Sequence, residues 1–207
     1  MSVQRFDIHN KVIVLTGGTG ILGFAMAQTL CAAGARVVLV SRRENEVKAC
    51  AQRLKDAGGE AMGIAADVLD KKALEALRDH IMASYGRVDV LINAAGGNMP
   101  GATVQPDAHF FDLDPQALDQ VIRLNVMGTL LPSQVFGALF AQQGFGNILN
   151  ISSASATRPL SRVVGYSLAK AGIDNFTQWL AVEMADKGQL QGFGLHNFGW
   201  GHATRCI

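Results

Sequence analysis

Tyr166 and Lys170 stand four residues apart in the stretch GYSLAK, and Ser153 lies thirteen residues before the tyrosine at the end of the apolar run NILNISS. On a helix, that spacing places the phenol and the ammonium on one face, within reach of a shared ligand. An ordinary phenol, with a pKa of ~10, exchanges protons poorly at neutral pH. A cation about 4 Å away at an effective dielectric near 20 contributes roughly 4 kcal/mol, enough to lower that value by up to ~3 units. The phenol then serves as both proton donor and proton acceptor.

A second chemical feature opens the chain. TGGTGILG follows an apolar run and precedes a helical pattern, and Gly18, Gly20 and Gly23 meet the GxGxxG spacing. Glycines permit the tight turn and the close approach of a pyrophosphate, whose charge is received by free amides at the positive end of a helix. Gly17, Gly18, Thr19, Gly20, Ile21, Leu22 and Gly23 are therefore expected to cradle a dinucleotide. At the tip of the next strand, where a carboxylate would accept hydrogen bonds from a ribose diol, the chain has Ser41, Arg42 and Arg43. Arginine binds phosphate in a bidentate, charge-assisted way, and no carboxylate stands there to repel it. The arginines favour NADP(H), with NAD(H) as the alternative.

These residues need a scaffold, and the hydropathy pattern supplies one of alternating strands and helices. Strands are expected at Val12–Thr16, Arg36–Ser41, Ala61–Ala66, Val88–Ala94 and Asn147–Ile151, with helices at 22–33, 44–57, 70–84, 115–143 and 164–185. Nearly continuous apolar strands belong to a sheet covered by helices on both faces. The expected fold is α/β, a doubly wound parallel sheet of the Rossmann kind in a single domain. Asp114 and Pro115 read as the cap and first turn of the long helix, with a kink near Pro132. Beyond Asp186 the sequence GQLQGFGLHNFGWGHATRCI shows neither strand nor helix period, so residues 187–207 are expected to be an irregular tail and the sheet to lack its usual last strands.

Composition excludes several classes. A chain of 207 residues, 49% hydrophobic with net charge +1, has no basic block for nucleic acid. No signal-peptide core or membrane-length apolar run is read from it, which points to a cytoplasmic protein. Cys31, Cys50 and Cys206 are odd in number and lack a CxxC pattern, as in reduced packing residues. The histidines show no metal-ligand spacing, and no metal is expected.

With TGGTGILG, the Asp67-Val68 pair, INAAG at 92–96, Asn125 within LNVMGT, and Ser153 with Tyr166-x-x-x-Lys170 in view, the chain resembles a short-chain dehydrogenase/reductase from residue 10 to about 186. The resemblance implies that Asp67 and Val68 border the adenine and that Asn93, Ala94, Ala95 and Gly96 line the cofactor cleft. It also implies a catalytic tetrad of Asn125, Ser153, Tyr166 and Lys170, in which Ser153 holds the substrate oxygen, Tyr166 passes the proton and Lys170 holds the ribose. Asn125 would hold a relay water through its side chain and a freed carbonyl. The loop GGNMPGATVQPDAHFFDLD resembles that of mannonate or fructuronate oxidoreductases, with Asn98 as the substrate-contacting candidate, or else as a surface loop that packs Phe110 and Phe111 into the core.

The resemblance has departures. Ile21 stands where the commoner family turn has glycine, and no proline follows Pro159, so the V-N-x-x-x-P-G segment is missing and the chain reads as truncated or frame-shifted after about residue 186. A small-molecule alcohol or ketone of the sugar-acid or polyol class is the expected substrate. A 3-oxoacyl or steroid-type reductase, or a cofactor-holding protein without turnover, are the alternatives. A homodimer or homotetramer is expected through the two long helices, with Leu130, Val135, Phe136, Phe140, Phe176, Trp179 and Leu180 as contact residues or as core.

Overall fold

The computed structural model describes residues 7–158 and 160–186, together with the backbone of 194–198. Strands β1 (Val12–Thr16), β2 (Arg36–Ser41), β3 (Glu60–Ala65), β4 (Val90–Asn93), β5 (Asn147–Ile151) and β6 (Gly194–Phe198) form one sheet in the order β3-β2-β1-β4-β5-β6. Every pairing is parallel. Helices α1 (Ile21–Ala32), α2 (Glu44–Asp56), α3 (Lys71–Tyr85), α4 (Pro115–Gln143) and α5 (Val164–Asp186) connect these strands.

Strand alternation divides the core. Ile13, Leu15, Val37 and Leu39 pack with Ala27, Val47, Ala51 and Leu54 of α1 and α2. Val12, Val14, Val38 and Val40 face the other way, onto Leu74, Leu77 and Ile81 of α3 and Phe136 and Phe140 of α4. Because both faces are covered, β1 is buried at all five positions, which explains its unbroken apolar run. Each large side chain so buried contributes about 2 kcal/mol.

Helix starts follow local chemistry. The carboxylate of Asp70 accepts from the amides of Lys72 and Ala73, and Asp114 accepts from Gln116 beside Pro115, which needs no donor there. Gly86 and Gly144 end α3 and α4 in left-handed backbone. Helix α4 runs unbroken through Pro132. By length and composition α4 would pass for a membrane span, with a mean hydropathy of 1.3 over an 18-residue window, contrary to the sequence expectation that no run is long enough. Half of that window is buried in the core.

One further expectation is corrected. The backbone of 194–198 pairs with β5 from Asn147↔Gly194 to Ile151↔Phe198, so the sheet gains a sixth strand where an irregular tail was expected. A parallel ladder is made by backbone groups, and the run GLHNF pairs without the apolar alternation that marks a strand. The remainder of that expected tail, Cys206 included, lies outside the described residues. Val135, Phe136 and Phe140 are 3%, 0% and 0% exposed, so of the two readings open for them it is the chain's own core that holds.

Candidate active site

The crevice opens at the carboxyl ends of β1 and β4, where strand order reverses, which is where an open α/β sheet receives a ligand. A cavity of about 690 Å³ lies there, and Gly17, Thr19, Gly20, Ile21, Leu22 and Gly23 form one wall. At several of its positions the turn has no room for a side chain. Gly17 has φ of +68°, and a Cβ on it would lie 2.7 Å from the Ala94 carbonyl oxygen. A Cβ on Gly23 would come 2.2 Å from the Gly17 carbonyl oxygen, and one on Gly18 would meet Leu39 at 2.6 Å. The GxGxxG reading included Gly20, which has more room, its nearest neighbour being the Gly17 oxygen at 3.3 Å. Gly20 caps α1 without a side-chain acceptor, so the first-turn amides and the helix dipole face the cavity. Ile21 and Leu22 are 91% and 69% exposed on its rim, apolar surface that a ligand would cover.

The second wall holds Ser41, Arg42 and Arg43, with Thr19 donating to the Ser41 hydroxyl at 3.1 Å. The two arginines differ. Arg43 is paired with Glu46 at 2.7 Å, whereas Arg42 has no carboxylate partner among the described residues. Val68, Ala94, Ala95 and Gly96 complete the lining, joined by Val40, Ala66 and Leu124, which the sequence reading missed because apolar lining residues have no motif. Asp67 is occupied locally, accepting from the Leu69 amide at 2.9 Å. Among the described residues no cluster of His, Cys, Asp or Glu is arranged to hold a metal ion.

Asn93 does not line the cavity. It is 1% exposed and turned into the sheet, donating to Ser133 at 3.0 Å and to Asn150 at 2.9 Å, while Asn150 donates to Thr177 at 2.8 Å. This buried polar ladder crosses α4, β4, β5 and α5 and fixes the relative position of the two long helices. Strand parity decides the matter, since the residues that follow, Ala94 to Gly96, continue into the crevice after the strand has ended.

At the inner end of the crevice, α5 brings Tyr166 and Lys170 onto one side, with the ammonium 5.5 Å from the phenol ring centroid. The Tyr166 ring packs on Ala102, Ala117 and Val121, which sets its direction. Lys170 is 5% exposed and donates to the Ile151 carbonyl at 2.6 Å. Burial pulls its pKa down from 10.5 to about 8, with the charge of Asp174 opposing the fall. Burial likewise pushes the Asp174 carboxyl up, against the hydrogen bond from Ser152 and the charge of Lys170. Lys170 stands directly behind Gly96, where an added Cβ would be 3.7 Å from Nζ. Ser153 caps a short 3-10 turn, Ala154–Ala156, that packs on α5. Its oxygen accepts from the amide and hydroxyl of Ser155 at 3.2 and 3.0 Å, which leaves its own proton to be donated outward.

Asn125 directs its side chain at the loop after β4. The amide nitrogen donates to Gly97 O at 2.7 Å and Val121 O at 2.8 Å, and its oxygen accepts from Gly97 N at 3.1 Å. The Asn125 carbonyl accepts from Thr129 at 2.9 Å within an unbroken helix. The side chain therefore pins the loop at Gly96 and Gly97, the floor between cavity and ammonium. Asn98 is exposed and bonded to Thr103 at 2.7 Å inside its own loop. Phe110 and Phe111 are 60% and 89% exposed, so they do not pack into the core.

A glycine cradle at a switch point, set against a tyrosine and lysine on one helix, defines an oxidoreductase class. The chain belongs to the short-chain dehydrogenase family, whose model matches residues 11–190. It is 40% identical over 190 residues to an uncharacterized oxidoreductase, UxuB, of Bacillus subtilis, covering 88% of this chain and 68% of that one. A D-threitol dehydrogenase of Mycolicibacterium smegmatis is 32% identical, with 88% and 68% covered. A solved structure of a candidate D-mannonate oxidoreductase from Haemophilus influenza with bound NAD superposes with a TM-score of 0.84 at 36% identity, over 93% of this chain and 71% of that one.

Proposed function

We propose that this chain transfers hydride between NADP(H) and an alcohol or ketone, with a sugar acid or polyol of the D-mannonate and D-fructuronate type as the substrate. The observation that carries this reading is the placement of Lys170 immediately behind Gly96, which joins the glycine-lined cavity to Tyr166. The fit to a dinucleotide rests on the cradle itself: added carbons at Gly17, Gly18 and Gly23 would collide, and the uncapped start of α1 offers amides to a pyrophosphate. Arg42, facing the same cavity without a carboxylate partner among the described residues, favours a 2′-phosphate, hence NADP(H) over NAD(H). The similar Haemophilus structure holds NAD, which keeps NAD(H) as the alternative.

The bound nicotinamide supplies or accepts the hydride. In the reductive direction Ser153 donates its proton in a hydrogen bond to the substrate carbonyl oxygen, where negative charge develops. Tyr166 gives its phenolic proton to that oxygen, and the Lys170 ammonium stabilises the phenolate left behind while binding the ribose. Oxidation reverses each step. Asn125 fixes the loop at Gly96 and Gly97, which would border the ribose of a bound dinucleotide. The sugar-acid assignment is supported by the Haemophilus neighbour, and the wider polyol class by the threitol enzyme. The apolar residues that α5 leaves exposed, Leu168, Trp179 and Val182 at 61%, 59% and 62%, support assembly as a homodimer or homotetramer.

The test is Tyr166→Phe against the unaltered chain. NADPH binding, followed by fluorescence, should be the same in both, while reduction of D-fructuronate or a polyol ketone falls about 10³-fold, within the range of a lost general acid. Equal turnover in the two proteins removes the proton role. NADPH binding with no turnover of any panel member marks a cofactor-holding protein instead.

A further inference from the structure

Lys170 is a buried cation, and the elements that pack on it present little charge. Among the described residues the titratable groups that face the ammonium are Tyr166 and Asp174, both on α5. β5 presents the Ile151 carbonyl, while the loop after β4 and helix α4 present Gly96 and Asn125, which do not titrate. Asp174 follows Lys170 by four residues, so the two side chains share one side of the helix. Its carboxylate also accepts a hydrogen bond from the hydroxyl of Ser152. Ser152 is the neighbour of Ser153, and Ile151, which accepts from Lys170, is the last residue of β5. Lysine and aspartate, one helical turn apart, are thus each tied to the end of the same strand, through Ile151 and through Ser152.

We propose that Asp174 is a positioning residue for the reaction, clamped by Ser152 to the end of β5 so that its charge holds Lys170 in the ammonium form, aimed at the floor of the cofactor cavity. It rests on the hydride-transfer reading for its purpose, but the clamp itself is a property of the folded chain without cofactor. Burial pulls the ammonium toward neutrality and the aspartate opposes that pull, the two together leaving its pKa at about 8. A helix neighbour that served only for packing would leave the lysine's titration unchanged when its charge was removed.

The experiment is NMR of the full chain carrying lysine labelled with ¹³C at the ε carbon, the Lys170 signal being assigned with Lys170→Arg. The unaltered chain should titrate with a midpoint of about 8. Asp174→Asn should lower that midpoint by about one pH unit, and Asp174→Glu should restore most of it. Ser152→Ala, which frees the carboxylate from the strand, should lower it by a smaller amount. An unchanged midpoint in both Asp174→Asn and Ser152→Ala overturns the proposal. Should Asp174→Asn not fold, Ser152→Ala decides alone, a lowered midpoint supporting the clamp and an unchanged one overturning it. The readout needs no turnover, so a chain that reduces nothing but keeps these midpoints would sink the hydride-transfer reading and leave the clamp standing.

Discussion

The two halves of the crevice are built from opposite materials. Its glycine half is backbone: at Gly17, Gly18 and Gly23 the main chain comes so close to its neighbours that a single added carbon collides, and the start of α1 offers amides with no side-chain cap. Its inner half is side chain: Ser153, Tyr166 and Lys170 each meet specific partners, and one of them is a cation held out of water. Contrast α1 with α3, whose first turn is capped by its own Asp70. Where the chain supplies its own cap the helix end is structural; where it withholds one, the end is open to an outside anion. The backbone half recognises by shape and fixed dipoles and cannot be altered without moving the main chain. Single side chains in the inner half can be exchanged with the fold retained, at the expense of chemistry or charge.

The sharpest way to break this contrast is at Gly23. A Cβ there would lie 2.2 Å from the Gly17 carbonyl oxygen, so Gly23→Ala must displace the turn. It should cost about 4 kcal/mol in urea unfolding, above the usual overpacking cost because the obstacle is backbone, and should abolish NADPH binding. Gly20→Ala, with 3.3 Å of clearance and φ of −71°, should cost less than about 1 kcal/mol. Equal losses at both positions would show that the cradle is not set by close approach.

That pair also shows how far the sequence can be read. The strand–glycine–helix setting locates the cradle and the Tyr166–Lys170 spacing locates the inner half, because both are local in sequence. Asp114 and Pro115 mark the start of α4 for the same reason. The direction of Asn93 is not legible, since helices cover both faces of β4 and its hydropathy says nothing about which face a residue takes. Asn125 was found by its motif, but its partner Gly97 lies 28 positions away, and only the fold shows that its side chain clamps that loop. Ser152 and Asp174, 22 positions apart, and β6, paired through its backbone, stay hidden for the same reason.

A smaller effect sharpens the inner half. Lys170 has its pKa lowered from 10.5 to about 8 by burial, so between those values the unfolded chain holds a proton that the folded chain has released. Stability must therefore rise with pH across that window, and the whole cost of the buried charge is present below pH 8. Relative to Lys170→Met, the unaltered chain should gain about 3 kcal/mol between pH 7.5 and 10.5, read from urea unfolding of both proteins at each pH. Cys31 and Tyr85, both pushed up by burial, act alike in the two proteins and cancel. A constant difference would mean that the lysine is not desolvated.

The smallest effect lies where the two materials meet, at the place in the glycine half where charged side chains enter. Arg43 is bound to Glu46 at 2.7 Å with both groups largely in water, a pair that stabilises the fold by well under about 1 kcal/mol but still competes for the guanidinium. Arg42 has no such competitor among the described residues. Arg42→Ala should raise the NADPH dissociation constant about tenfold, some 1.4 kcal/mol, and leave NADH binding nearly unchanged. Arg43→Ala should weaken NADPH binding by less, because releasing Arg43 for a phosphate costs its contact with Glu46. If Arg43→Ala proves the more damaging, Glu46 must let go on binding and the second strand's tip is remodelled by its ligand. If neither change separates NADPH from NADH, the arginine pair is solvated surface and the crevice reads only what its backbone can.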